Sequence, residues 1–79
     1  MLEEIKKELV GKDKAAVMEM AKDADANKLG FMILAEQEEM AKEVNEFMSG
    51  KKVAGARARK ASLIVQSLYG LFRKASVAA

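Results

Sequence analysis

The chain has 79 residues and contains no cysteine, no histidine, no tryptophan and no proline. Without cysteine it forms no disulfide, and without cysteine or histidine it has no conventional Cys/His metal site. Without proline, nothing covalent forces a helix to stop. No apolar run approaches the roughly 18 residues that a membrane span needs. The opening MLEEIKKELV mixes acids with bases and lacks the apolar stretch of a signal peptide. The usual staples of a small fold are therefore missing. A domain of this size buries only about 60% of the surface that its unfolded form exposes. Self-association is the remaining way to gain burial, and a homo-oligomer, a dimer or larger, is expected.

What is present favours helices. Ala, Leu, Met, Glu, Lys and Gln dominate, and the few β-branched residues never alternate. The pattern predicts an all-α protein with two parts. Residues 1–30 form short acidic-to-neutral N-terminal helices. Residues 31–79 form a helical hairpin with a basic C-terminal helix, and dimerisation completes the bundle. The first helix runs from Leu2 to Val10, closed by Gly11. The second starts at an Asp13 N-cap and ends at Asn27-Lys28-Leu29-Gly30. The third spans Phe31 to Met48, with Ile33, Met40, Val44 and Phe47 on its inner side and Gln37 interrupting them. Ser49-Gly50 is a turn too short for anything but an antiparallel return.

The fourth helix, from about Lys52, has the cleanest pattern. Ala54, Ala58, Ala61, Val65, Leu68, Phe72 and Ala75 follow one another at steps of four and three. This is a coiled-coil-type seam, widened by Ile64 and Leu71. Ala54 to Phe72 are the candidate oligomer or core contacts. Gly55 marks either a close helix crossing or a later helix start.

Charge divides the chain sharply. All twelve acids lie between Glu3 and Glu46, so residues 1–50 carry seven lysines against twelve acids, a net −5. Residues 51–79 carry Lys51, Lys52, Arg57, Arg59, Lys60, Arg73 and Lys74 with no acid, a net +7. An acid-free basic helix matches the phosphate-contact requirement of nucleic-acid binding. The same split also permits mutual neutralisation within the chain.

No catalytic constellation is visible: there is no Ser-His-Asp set, no cysteine nucleophile and no Gly-rich phosphate loop. The protein is expected not to be an enzyme, with no cofactor and no small-molecule substrate. Glu36, Glu38, Glu39, Glu43 and Glu46 lack the histidines of a di-metal bundle and read as a solvated helix face. Met18, Met20, Met32, Met40 and Met48 read as core rather than as a peptide-binding groove.

From Gly50 the chain reads GKKVAGARARKAS, and later FRKASV. This resembles the bacterial linker-histone-like family, the nucleoid-compacting proteins of chlamydiae and their relatives. The resemblance is carried by Gly50, Lys52, Ala54, Gly55, the Arg57-x-Arg59 pair, and Phe72, Arg73, Lys74 and Ser76. It implies a histone-like protein that binds DNA without sequence preference and condenses it, located at the nucleoid in the cytoplasm or inside a virion. The seven basic residues would neutralise phosphates, and a two-sided dimer would bridge duplexes. The long Lys/Ala/Pro-rich tail of the chlamydial members has no counterpart in these 79 residues, which predicts weaker DNA binding. The alternative is a helical scaffold, a virion or filament subunit whose −5 half pairs head to tail with the +7 half of the next chain. A basic amphipathic helix lying on an anionic membrane ranks last, because the apolar face lacks Trp.

Overall fold

A computed structural model describes residues 1–78 and shows four helices, with no strand among the described residues. They are α1 (Leu2–Leu9), α2 (Lys14–Ala21), α3 (Ala26–Met48) and α4 (Val53–Ala78). The all-α fold and the hairpin of the last two helices agree with the sequence.

The boundary between the second and third helices does not. α2 stops at Ala21, and α3 starts at Ala26 instead of Phe31. Asp25 is the reason. Its backbone is extended and its side chain accepts a 2.8 Å hydrogen bond from the Lys28 amide, so it opens a helix where a helix end was expected. Asp13 caps α2 in the same way, through the Ala16 amide at 2.9 Å. Gly30 consequently lies inside α3, beside the Phe72 ring.

The hairpin turn is a Schellman closure. The Gly50 amide donates to the Phe47 carbonyl and the Lys51 amide to the Glu46 carbonyl, both at 3.0 Å. Gly50 sits at φ +113°, a conformation that side-chain-bearing residues rarely adopt. Just beyond the turn, Gly55 settles the choice left by the sequence. It is helical, and a Cβ there would come within 2.9 Å of the Phe47 ring, so its absence lets α3 and α4 meet closely.

The α4 seam is filled inside the chain. Ala54, Ala61, Val65, Leu68 and neighbouring Ile64 are buried, while Ala58, Phe72 and Ala75 are half-buried. On α3 the buried apolar residues are Leu29, Met32, Ile33 and Ala35. Val44 and Phe47, expected inside, are largely exposed, and Met40 is half-buried. α1 packs on α3 and α2 packs on α4. They add Ile5, Leu9, Val17 and Ala21 to a core that also holds Ile64 and Leu68. The hairpin thus receives cover from its own N-terminal helices, at about 1.5–3 kcal/mol for each fully buried large side chain. Met32 is completely buried, and Met18 and Met20 pack against the same core, whereas Met48 is exposed at the turn.

Gly70 has helical geometry and open space where a side chain would stand. Gly70→Ala is therefore expected to stabilise the protein by about 0.5–1 kcal/mol through helix propensity alone. A urea titration with an unchanged midpoint would contradict this.

Candidate nucleic-acid interface

α4 is amphipathic over its whole length. Its apolar side faces α3 and α2, which leaves the opposite side to solvent. Lys52, at the helix entry, and Arg59, Lys60, Arg73 and Lys74 on the helix are all exposed. None of these five makes an ion pair among the described residues. Steps of seven residues bring Lys52, Arg59 and Arg73 to one edge, with Gln66 between the last two. The Arg59-Lys60 and Arg73-Lys74 pairs stand 14 residues apart, about 21 Å along the axis. Leu63, Gln66 and Gly70 lie between them, without charge. α4 itself carries no acid, because every acid of the chain lies at or before Glu46; on its flank, Lys60 and Leu63 line a groove that Asp13, Glu39 and Glu43 also border.

The other two basic candidates are engaged within the protein. Arg57 donates through Nε to the Glu43 carboxylate and lies 3.6 Å from Glu46, and Lys51 lies 3.9 Å from Glu46. Glu43 stands seven residues before Gly50 and Arg57 seven after it, so the hairpin brings them together. Glu43 is only 5% exposed and Glu36 only 8%. The solvated glutamate face expected from the sequence is therefore corrected at these two positions. Glu38 and Glu39 do face solvent. Glu38 holds Lys6 of α1 at 2.6 Å, which ties α1 to α3 and raises the Lys6 pKa.

The two buried carboxylates are tuned in opposite directions. The hydrogen bond from Arg57 holds Glu43 below its ordinary value of 4.5, against the effect of burial. Burial, aided by repulsion from Glu39, pushes Glu36 above 4.5. Their contributions to stability carry opposite signs. The stabilisation from Glu43 is complete above about pH 4.5 and disappears as pH falls through its lowered value. Glu36 costs stability at neutral pH, and that cost is relieved as pH falls through its raised value. Glu43→Gln is therefore expected to destabilise at pH 7, with the deficit shrinking below pH 4.5. Glu36→Gln is expected to stabilise at pH 7, with the gain vanishing in acid. Thermal melts at pH 7 and pH 3 check both, and equal shifts for the two variants would contradict the assignment.

Glu43 and Glu46 are the residues that sequence reasoning missed as partners of the basic cluster. The signal was the hairpin register about Gly50. It becomes readable once the turn is taken as the centre of an antiparallel pair.

The five unpaired cations sit in a segment with an identifiable ancestry. Residues 32–79 match the family described as histone H1-like protein Hc1, across all of α4 and all but the first six residues of α3. The chain belongs to this histone H1-like Hc1 family. Membership makes it a histone-like DNA-binding protein, of a kind that packages DNA rather than catalyses reactions. No curated protein and no solved structure shows significant similarity to it. The Hc1-like segment holds the whole basic edge, whereas α1 and α2 lie outside it. No helix among the described residues is long and apolar enough to cross a membrane.

Proposed function

We propose that this Hc1-family chain condenses DNA by neutralising phosphates along the outer edge of α4, at the bacterial nucleoid. Lys52, Arg59, Lys60, Arg73 and Lys74 make the contacts. Lys51 and Arg57 hold the hairpin turn together. The observation that carries this reading is the set of five unpaired cations on and at the entry of α4, a helix without a single acid, within the family segment. The contacts are to backbone phosphates, so binding is insensitive to sequence. A single chain presents one such edge, and association of chains, which we also propose, enlarges the basic surface. Fluorescence anisotropy with a random-sequence duplex across a salt series tests the reading. Tight binding at low salt that weakens steeply with added salt is expected. Absence of binding at low salt would overturn it.

A further inference from the structure

One side of the α3–α4 hairpin carries no charge at all, in a chain where 33% of residues are charged. On α3 this stripe runs through Leu34, Gln37, Ala41, Val44 and Met48, at alternating steps of three and four. On α4 it runs through Ala58, Ser62, Val65, Tyr69 and Phe72, at steps of four and three. Gln37 donates through Nε2 across the helices to the Tyr69 hydroxyl, so the two stripes adjoin on the same side. This side is not the one that α1 covers through its Lys6–Glu38 bridge. Leu34 is 51% exposed, Met48 69% and Tyr69 41%. At the end of the hairpin remote from the turn, Gly30, Leu34, Tyr69 and Phe72 border an apolar hollow of about 390 Å³.

We infer that a second copy of this chain docks on this uncharged face, as an antiparallel pair of hairpins. Three properties of the face select a second copy over an unlike partner. It holds no charge, so a symmetric contact brings no like charges together and offers nothing to a charged partner. Both stripes have the alternating three–four spacing of helices packed in bundles. The face is also complementary to itself. A two-fold axis passing between Gln37 and Ala41, and beside Val65, sets Gly30 opposite Met48, Ala58 opposite Phe72 and Ser62 opposite Tyr69. In each pair a small residue faces a large one. The projecting Met48 near the turn of one copy then meets the hollow at the far end of the other, and the reverse contact follows by symmetry.

The size is sufficient. The 23 residues of α3 rise about 34 Å and two neighbouring helices span about 19 Å, so each copy contributes about 650 Å². The total, about 1,300 Å², falls within the range of stable interfaces. Of the α4 seam, the half-buried Ala58 and Phe72 border this face and Val65 lies beneath it, while Ala54, Ala61 and Leu68 stay inside the chain. In this arrangement α4 lies against α4 of the second copy, and both basic edges share one side of the particle. The pair then grips one duplex over a broader surface, instead of cross-linking two.

Sedimentation equilibrium from about 1 to 100 μM tests the inference, with Ala41→Glu and Ser62→Glu placing a charge in the face at exposed positions. The unaltered chain is expected to reach twice its 8.6 kDa mass. Either variant is expected to remain at 8.6 kDa with the same helical circular dichroism. Leu63→Gln, on the basic edge, is expected to dimerise normally. A chain that is monomeric throughout, or helical variants that still dimerise, would overturn the inference. DNA anisotropy on the same samples keeps the two proposals apart. A monomer that binds DNA removes this interface but leaves the phosphate contacts standing. A dimer that ignores DNA does the reverse.

Discussion

Leu68→Ala is expected to remove about 3 kcal/mol of stability. Leu68 is completely buried, at the level where α2, α3 and α4 meet, within the cluster that also holds Val17, Leu29 and Met32. Truncation there loses the transfer energy of the side chain and leaves a cavity that rigid neighbouring helices close poorly. A domain of this size has only about 4–12 kcal/mol in total. The loss is therefore a large fraction of the whole, on the order of 15 °C in melting temperature. Val77→Ala, at an 87% exposed position of the same helix, is expected to stay within about 0.5 kcal/mol. The decisive comparison is with the Ala41→Glu background, which is held monomeric. Because Leu68 is buried by its own chain, the loss is expected to be the same there. A loss that vanished in the monomer would mean that the seam is completed by a second chain.

The seam of α4 was legible because seven-residue periodicity is a property of one helix and needs no partner to be read. What filled it was not legible. Two helices with wide stripes can be covered by a second chain or by short helices of the same chain, and sequence spacing is identical in both cases. The structure shows α1 and α2 covering the hairpin through Ile5, Leu9, Val17 and Ala21. The inner residues of α3 shifted for the same reason. The expected Val44 and Phe47 lie near the turn, beyond the reach of α1 and α2, while Ala35 and Glu36 lie beneath that cover. Gly30 reads as a helix stop in the sequence, which puts the start of α3 too late. In fact Asp25 supplies a cap five residues earlier, and the longer helix accepts the propensity cost of one glycine.

The candidate site was legible in kind and only partly in detail. The absence of acids after Glu46 is readable by counting, and all seven basic side chains are exposed. Which of them are unpaired depends on the register of the hairpin. Glu43 and Arg57 are 14 residues apart in sequence, with no local signal joining them, and they meet only because the turn centres on Gly50. The uncharged face went unread for a related reason. Each of its stripes is diluted by Gln, Ser and Ala, and it becomes a surface only when the two helices are laid side by side.

The difference between paired and unpaired cations leads to the largest effect expected on function. With five phosphate contacts, log affinity should fall against log salt with a slope of about −4.5, so that raising salt from about 50 to 200 mM weakens binding about 500-fold. Replacing Arg59, Lys60, Arg73 and Lys74 together by alanine leaves one contact and a slope near −1, and the same change in salt then weakens binding only about fourfold. Replacing the Arg73-Lys74 pair alone should reduce the slope by about 1.8. Arg57→Gln provides the contrast. Arg57 already faces Glu43 and Glu46, so its charge releases no DNA counterion, and the slope should remain that of the unaltered chain. All three variants keep the buried seam intact, so circular dichroism should show the same helix content at the low temperature used for binding. A slope that falls by about 0.9 in Arg57→Gln would mean that DNA displaces the glutamates and recruits the arginine. A quadruple variant with an unchanged slope would move the DNA contact off α4 altogether.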